Sequence, residues 1–457
     1  MGQQWLGRLD QATRRPATAD PLTMATPVDA PTASAVVDLA LRVSELALSC
    51  GSSTADATAY ALTVAEAYGL KVDVDVTWTS ITISYHRAGA WEPITGFRSV
   101  RSRENDYRML AALTQFVDEV AQGQVRLVDA RNAFREVRGK SRPYRSWVLA
   151  LANGGLGISV ATLLGGFGPE ALLAGISMVL LFYVQLWLAR VGTAPFYQQV
   201  AGAAVPTAVA LLVMTLRDMD LAFNDTSPSL IVAAGMVSLL AGLGVVTAAR
   251  DALEGNLITS AARTFDTILK TGGIVFGVVM TLWIAQRMGV EGSIAPTGSY
   301  IQPSWWQILA AGASSIFFAI TSHVSPRSLI RCGVLGAAGY GTYFLVMPVF
   351  GNYPAAATAG AFVVGALAQL LARRWGVPAL ALITTGVVAL MPGMMLYRGL
   401  YFLIFNADDA STVLAPTLLL DATLTGIGLA AGSMLGAQLV RPFTRMKFGW
   451  RFEVEKD

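Results

Sequence analysis

Ten long apolar stretches fill the chain from Trp147 onward and constrain its fold more than any other feature. Each approaches the ~20 residues that a helix needs to cross a bilayer, and helix is expected because lipid satisfies no backbone polar group. The predicted spans are 147–164, 171–189, 200–216, 230–249, 268–286, 305–322, 329–347, 355–372, 378–397 and 413–440. Only 14% of the 457 residues are charged, against about 25% in soluble domains. We therefore predict a polytopic membrane protein surrounded by the lipid bilayer.

The segment before these stretches predicts a small soluble α/β domain at residues 35–138. Two helices that end at Gly51 and Gly69 precede two strictly alternating segments, Val72–Val76 and Ile81–Tyr85, which are typical of half-buried strands. Two further helices are predicted near 106–122 and 125–138. Residues 1–34 lack the apolar core of a signal peptide, and their composition predicts a disordered leader. Residues 441–457 are predicted to form a basic tail.

The positions of Lys and Arg predict the orientation in the membrane. If both termini are cytoplasmic, most basic residues outside the apolar stretches fall on the cytoplasmic side, and the outside loops hold only Arg217, Arg287 and Arg398. The net charge is only +3, which does not indicate a nucleic-acid partner. We expect a multi-pass protein of the cell (inner) membrane.

The membrane region repeats its own sequence pattern, so that residues 147–289 and 305–440 form two five-span halves. The matched sets are Phe167-Gly168-Pro169-Glu170 with Val324-Ser325-Pro326-Arg327; Gly235, Leu239 and Gly242 with Gly386, Leu390 and Gly393; and Asp266, Leu269, Gly273 and Gly277 with Asp421, Leu424, Gly428 and Gly432. Because five is odd, the second half must enter the membrane from the opposite side. Such inverted repeats are typical of secondary transporters; a duplication without a transport role is the alternative.

Two carboxylates within the apolar stretches are candidate binding groups. Asp421 lies inside the last span and Asp266 is its repeat partner near a membrane edge; an acid at depth costs about 2.5–3.5 kcal/mol on insertion scales. Each shares a helical face with two glycines in a spacing that allows close helix packing. We predict that they bind a substrate amine or relay protons, and the alternative is a buried structural ion pair.

Helix breakers interrupt corresponding spans in the two halves. Pro392 and Gly393 break the ninth span, and Gly242 and Gly244 weaken the fourth. Paired interruptions point to a transporter's substrate site, where freed amide and carbonyl groups can coordinate a zwitterion. The alternative is a proline kink without a ligand.

The densest polar stretch of the membrane region starts at Ala248 and predicts a gate or cytoplasmic mouth. Its charged members are Arg250, Asp251, Glu254, Arg263 and, further along, Lys270. Arg250 and Glu254 have helical pair spacing. A loop helix with ordinary ion pairs is the alternative.

Composition and motifs leave no place for a cofactor. Cys50 and Cys332 lie far apart, and His86 and His323 are the only histidines, which favours neither a disulfide nor a metal site. The sequence contains no P-loop for ATP and no G-x-S-x-G nucleophile motif. We therefore expect no cofactor, no metal and no enzyme activity, although hydrolysis by the N-terminal domain stays open.

Two stretches resemble the threonine/serine exporter family: AARDALEGNLITSAARTFDTILKTGGIVFG from Ala248 and GVVALMPGMMLYRGLY from Gly386. The N-terminal pattern that leads to Tyr68-Gly69-Leu70 resembles the same family. The resemblance implies export of small hydroxy amino acids driven by the proton-motive force. It also implies a cytoplasmic N-terminal domain that has been likened to hydrolases, and two halves that are separate subunits in some relatives.

Our working hypothesis is a proton-coupled exporter with its substrate between the fourth, fifth, ninth and tenth spans. Its partners are a small amino acid and protons, and a homo-oligomer stays open. Rocking of one half against the other would alternate access. The rival hypotheses are a membrane-anchored hydrolase and a passive channel for small solutes.

Overall fold

A computed structural model describes residues 29–87, 91–100, 103–140, 142–219, 226–239, 242–289, 304–405 and 409–445. The described chain is mostly helical, with one small sheet near its beginning. The elements of this first part, the N-terminal domain, are α1 (Ala30–Ser49), α2 (Thr54–Ala67), β1 (Asp73–Val76), β2 (Ser80–Tyr85), β3 (Ile94–Ser99), α3 (Tyr107–Ala121) and α4 (Leu127–Gly139).

The N-terminal domain has its own apolar core beneath an antiparallel sheet of order β1-β2-β3. The predicted apolar face of α1 is buried, with Val36, Leu39 and Val43 at most 1% exposed. Burial of each such side chain contributes about 1.5–3 kcal/mol. Helix α1 begins at Ala30, inside the segment that was predicted as a leader, because Pro31 fits the first turn of a helix. Residues 1–28 lie outside the described residues.

Strand β3 is an element that the sequence patterns do not predict. Its residues, ITGFRS, alternate only between half-buried and exposed positions, so the apolar alternation that marks β1 and β2 is missing. Gly96 explains part of this weakness. A Cβ at that position would lie 2.4 Å from Leu41 Cδ1 and 3.2 Å from Val37 Cγ1, so a glycine allows α1 to pack closely on the strand.

Twelve helices make up the described membrane region. They are α5 (Ser146–Leu163), α6 (Pro169–Val191), α7 (Pro195–Asp218), α8 (Pro228–Gly235), α9 (Gly242–Leu253), α10 (Leu257–Arg287), α11 (Trp305–Thr321), α12 (Leu329–Phe350), α13 (Tyr353–Trp375), α14 (Ala379–Gly386), α15 (Gly393–Phe405) and α16 (Asp409–Arg445). Within the described ranges, seven helices are long and apolar enough to cross a membrane, or eight if the bent pair α14–α15 is one span.

The remaining predicted spans differ from a simple ten-helix count. The fourth, 230–249, is divided into α8, of only 8 residues, and α9; residues 240–241 between them lie outside the described part of the chain. The sixth, 305–322, is the 17-residue helix α11, which is about 26 Å long at 1.5 Å per residue. The ninth bends by 41° between α14 and α15.

The same helix pairs pack in both halves of the membrane region. Helices α5–α6, α6–α7 and α7–α10 of the first half correspond to α11–α12, α12–α13 and α13–α16 of the second. A Cβ added at Gly154 would lie 3.2 Å from the carbonyl oxygen of Gly175, and one at Gly312 would lie 3.1 Å from that of Gly333. Close glycine contacts therefore recur at matching places in the two halves.

The predicted glycine faces of the two long helices pack against their neighbours. A Cβ at Gly277 of α10 would lie 2.2 Å from the carbonyl oxygen of Val200 in α7, and one at Gly432 of α16 would lie 2.4 Å from that of Thr358 in α13. The halves contact each other through α5 with α11, α9 with α16, and α10 with α15.

Candidate functional site

The two helix breaks meet. Gly242 begins α9, and a Cβ added there would lie 3.0 Å from Met391 Cβ and 3.1 Å from the amide nitrogen of Gly393, which begins α15. The breaks are 151 residues apart in sequence. The fold thus brings together the positions that the sequence singled out in both halves.

Both breaks line a cavity of about 710 Å³, a size typical of small-molecule sites. We call it the central cavity. Its polar lining residues come from both halves and from the N-terminal domain: Glu104, Asn105, Arg142, Ser146, Asn153, Gln185, Ser229, Ser238, Gln307, Ser314, Thr321, Ser322, His323, Tyr340, Tyr343, Tyr353 and Arg398. Gly242, Pro392 and Gly393 lie in the same lining.

Helices α9 and α15 begin at the central cavity, and the shorter helices α8 and α14 end close to it. The first amide groups of a helix have no partner within the helix, and they form a partial positive charge that favours an anion. Helices α9 and α15 present such ends at Gly242 and Gly393. Helices α8 and α14 end at Gly235 and Gly386, so their terminal carbonyl groups supply partial negative charge nearby. A carboxylate and an ammonium group could therefore be held at one break region.

A tyrosine cluster forms another part of the cavity wall. The rings of Tyr340 and Tyr343 lie 5.1 Å apart, and those of Tyr343 and Tyr353 lie 5.2 Å apart. Tyr353 Oη donates to the carbonyl oxygen of Leu390, at 3.1 Å, which supports the ninth-span break. These phenols can position a small polar substrate.

Gln307 links helices from both halves. Its Nε2 donates to the carbonyl oxygen of Leu163 at the end of α5, at 3.0 Å, and its Oε1 accepts from Tyr340 Oη at 3.3 Å. The same oxygen accepts from the amide of Ser304 at 2.8 Å and so caps the start of α11. Gln307 is 2% exposed, and its contacts fix the wall of the cavity.

The two predicted carboxylates lie outside the cavity lining. Asp266 forms an ion pair with Lys270, with 2.7 Å between Oδ2 and Nζ, and both side chains are 36% exposed. Asp421 is half-buried on α16, one turn after Leu418, which does line the cavity. A role for either acid in substrate or proton binding stays a prediction.

Gly244 lies against helix α10 and has a packing role. A Cβ there would come within 2.4 Å of Thr267 Oγ1, and this glycine is absent from the cavity lining. Of the predicted break residues, Gly242, Pro392 and Gly393 lie at the cavity and Gly244 does not.

The polar segment that spans the end of α9 and the start of α10 contacts the N-terminal domain. Arg250 contacts Glu254 within its own segment (Nε to Oε1, 2.7 Å) and Asp56 of α2 (Nη2 to Oδ2, 3.3 Å). Asp251, 1% exposed, pairs with Arg263, with 2.8 Å between Oδ2 and Nε. Thr54 of the N-terminal domain donates to Asp251 Oδ1 at 3.3 Å.

Trp78 completes this contact, which we call the joint. The guanidinium groups of Arg103 and Arg263 lie 3.6 and 4.7 Å from the centre of its ring, within the range of cation–π attraction. Burial, together with the neighbouring Arg263, lowers the pKa of Arg103 to about 10, so it stays charged at neutral pH. Four of the predicted mouth residues, Arg250, Asp251, Glu254 and Arg263, therefore lie at a contact between two parts of the molecule, whereas Lys270 pairs with Asp266. Gating by these residues stays a prediction.

Comparison with known proteins shows which family the chain belongs to. A family model described as "Putative threonine/serine exporter" matches residues 38–285, and a second, described as "Threonine/Serine exporter, ThrE", matches residues 307–438. A "Probable threonine/serine exporter" of Mycobacterium tuberculosis is 33% identical, with 89% of this chain and 77% of that protein covered. The "Threonine/serine exporter" of Corynebacterium glutamicum is 31% identical, with 90% and 83% covered. No solved structure matches.

The chain belongs to the threonine/serine exporter family. It is accordingly a multi-pass membrane protein, and the resemblance inferred from its sequence is confirmed. The first family model ends at residue 285 and the second begins at residue 307, so the gap between them includes the predicted boundary between the two halves.

Sequence reasoning missed most of the polar wall of the central cavity. Asn153, Gln307 and Tyr340 lie in apolar stretches whose length alone was used to predict spans. A signal was present, because polar side chains within a span usually face the protein interior. His323 was noted only as an unlikely metal ligand, yet it lies at the end of the cavity nearest the N-terminal domain.

Proposed function

We propose that this chain exports small hydroxy amino acids, threonine and serine, across the cell membrane, and that the substrate binds in the central cavity. The observation that supports this most directly is the meeting of Gly242 with Met391 and Gly393, since paired broken helices form substrate sites in secondary transporters. The names of the two relatives agree with it.

In this proposal, backbone groups bind the charged parts of the amino acid. Its carboxylate binds at the amide ends of α9 and α15, and its ammonium group binds at the carbonyl ends of α8 and α14. The side-chain hydroxyl is bound by polar wall residues such as Asn153 and Tyr340. Each charged group of the substrate thus lies next to helix ends whose partial charge has the opposite sign.

The transport cycle uses two inverted five-span halves that rock against each other and expose the cavity to each side in turn. The helix pairs that recur in both halves support this arrangement. The proton-motive force drives export, with Asp421 and Asp266 as proton or ammonium groups. The N-terminal domain and the C-terminus are cytoplasmic, as the distribution of basic residues predicts.

The decisive experiment follows amino-acid export from cells that are fed threonine- or serine-containing dipeptides. Cells with the protein should release the free amino acid faster than cells without it. Gly242→Ala should lower this rate about tenfold or more, because the new methyl group forces the two breaks apart, and small misplacements at a site are costly.

Gly272→Ala is the matched control, because a Cβ at this α10 position has nothing within 4 Å. It should export normally. If Gly242→Ala and Gly272→Ala export equally well when present in equal amounts in the membrane, the close contact between the two helix breaks is not needed for transport. Absence of any export by the wild-type protein would remove threonine and serine as substrates.

A further inference from the structure

His323 has an unusual backbone and an unusual side chain. It is the one described residue other than glycine with a positive φ, at 57°. Its side chain lines the central cavity although the residue is only 5% exposed. Nδ1 has no hydrogen-bond partner among the described residues. A buried polar atom normally has a hydrogen-bond partner, so the lack of one at Nδ1 indicates that this nitrogen can bind a ligand.

The first half of the protein shows what this backbone position requires. Helix α5 ends with Gly165 at φ 87°, followed by a hydrogen bond from Gly166 N to Ala161 O of 2.8 Å. Helix α11 ends in the same way, with His323 in the left-handed position and a 2.9 Å bond from Val324 N to Ala319 O. Glycine is the favoured residue there. A histidine with strained backbone suggests a task for its imidazole.

The N-terminal side of the molecule holds the loop around His323 in place. The amide of Tyr107 donates to the carbonyl oxygen of Ser322 at 3.1 Å, and Tyr144 Oη donates to that of Val324 at 2.8 Å. These two bonds fix the residues on either side of His323, so the imidazole is positioned from both directions.

Opposite charges lie in the same part of the cavity lining. Glu104 and Arg142 form an ion pair there, and their side chains are 61% and 57% exposed. A pair so exposed contributes little to stability and can exchange partners. An amino-acid zwitterion offers an ammonium group to Glu104 and a carboxylate to Arg142.

Burial of His323 favours the neutral form of its imidazole. Burial lowers its pKa, and nearby Arg142 lowers it further, against the opposing charges of Asp106 and Glu104. A neutral ring offers one donor and one acceptor nitrogen, so it can bind either the ammonium group or the hydroxyl group of a small amino acid.

We propose that His323, Glu104 and Arg142 form a binding site in the central cavity, which we call the mouth site and which does not include the predicted mouth residues around Arg250. A zwitterionic amino acid binds there on its way from the cytoplasm to the helix breaks. This proposal rests on the proposed function and adds to it: the N-terminal domain and the adjoining linker supply part of the substrate pathway.

The test measures uptake of radiolabelled threonine by inside-out membrane vesicles that contain the full-length protein. His323→Gly should raise the apparent KM about tenfold, the effect of losing one hydrogen bond to a charged group, with little change in maximal rate. The glycine suits the backbone, as Gly165 shows, so lost folding cannot account for the result. His86→Gly, at an exposed position of the N-terminal domain, is the matched control and should leave KM unchanged.

A second pair of variants tests the charges. Arg142→Gln and Glu104→Gln should each raise KM about tenfold, whereas Arg126→Gln, in an ion pair with 83% and 56% exposure, should not. In the wild-type protein, KM should also rise as the pH at this mouth falls through the lowered pKa of His323, and His323→Gly should lose that dependence.

The outcomes separate the two proposals. If wild-type vesicles take up threonine and the His323, Glu104 and Arg142 variants all keep the wild-type KM, the mouth site is wrong and the exporter proposal stands. If wild-type vesicles take up neither threonine nor serine, the exporter proposal itself fails.

Discussion

At the scale of single residues, the repeat partners Asp266 and Asp421 have different surroundings. Asp266 is neutralised by Lys270 one helical turn later, whereas the matching position after Asp421 holds Thr425. Among the described side chains, no cation forms an ion pair with Asp421. This difference makes Asp421 the better candidate for a group that gains and loses a proton.

We predict that Asp421→Asn abolishes proton-coupled export while the protein remains folded in the membrane, because the amide cannot take up a proton. Export from dipeptide-fed cells, normalised to the amount of protein in the membrane, measures the effect. Asp266→Asn should reduce export less. Normal export by Asp421→Asn would exclude this carboxylate from the mechanism.

Single residues also show what a sequence can and cannot reveal. Pro392 and Gly393 disrupt a helix through local effects, so the sequence alone predicts a break at these residues. Tyr340 and Gln307 matter through contacts with Leu163 and other distant residues, and no local pattern encodes such a contact. Their polar character within a span indicates that they face the protein interior, but the residues that they contact follow only from the fold.

At the scale of elements, the joint connects the N-terminal domain to the end of α9 through Asp251 and to the start of α10 through Arg263. Removal of one member of a buried pair leaves the other charge buried without compensation, at a cost of about 3–5 kcal/mol. We predict that Asp251→Ala destabilises the docked arrangement by about this amount. Limited proteolysis of the purified full-length protein should then cut the N-terminal domain faster.

The matched control for the joint is Arg126→Gln, which removes an exposed ion pair of the same domain and should change stability by less than about 0.5 kcal/mol. Equal proteolysis rates for the two variants would show that the joint does not hold the domain in place.

Elements were predicted well where their signal is periodic and poorly where it is not. The α1–α4 helices and strands β1 and β2 follow apolar spacing and were predicted within a few residues, apart from the earlier start of α1 at Ala30. Strand β3 was missed because Gly96 and Phe97 serve helix packing and an exposed face. The fourth span was predicted as one stretch, although its glycines divide it.

At the scale of the whole molecule, the source of energy separates a coupled carrier from a passive channel. We predict that collapse of the proton gradient with a protonophore stops export against a threonine gradient, because only a coupled carrier can move its substrate uphill. A rate that depends on the amino-acid gradient alone would favour the channel. The measurement uses vesicles with imposed pH gradients and no metabolic energy.

Helix α9 reaches from one functional region to another. It begins at Gly242 in the central cavity and ends at Leu253, beside the joint, a distance of about 18 Å for its 12 residues. We expect a helix of about three turns to move as one unit, so that a displacement at Gly242 is passed to Leu253. If an amino acid binds in the cavity, we expect the N-terminal domain to shift with it, and a fluorescent probe attached near Asp56 should report this binding from a distance.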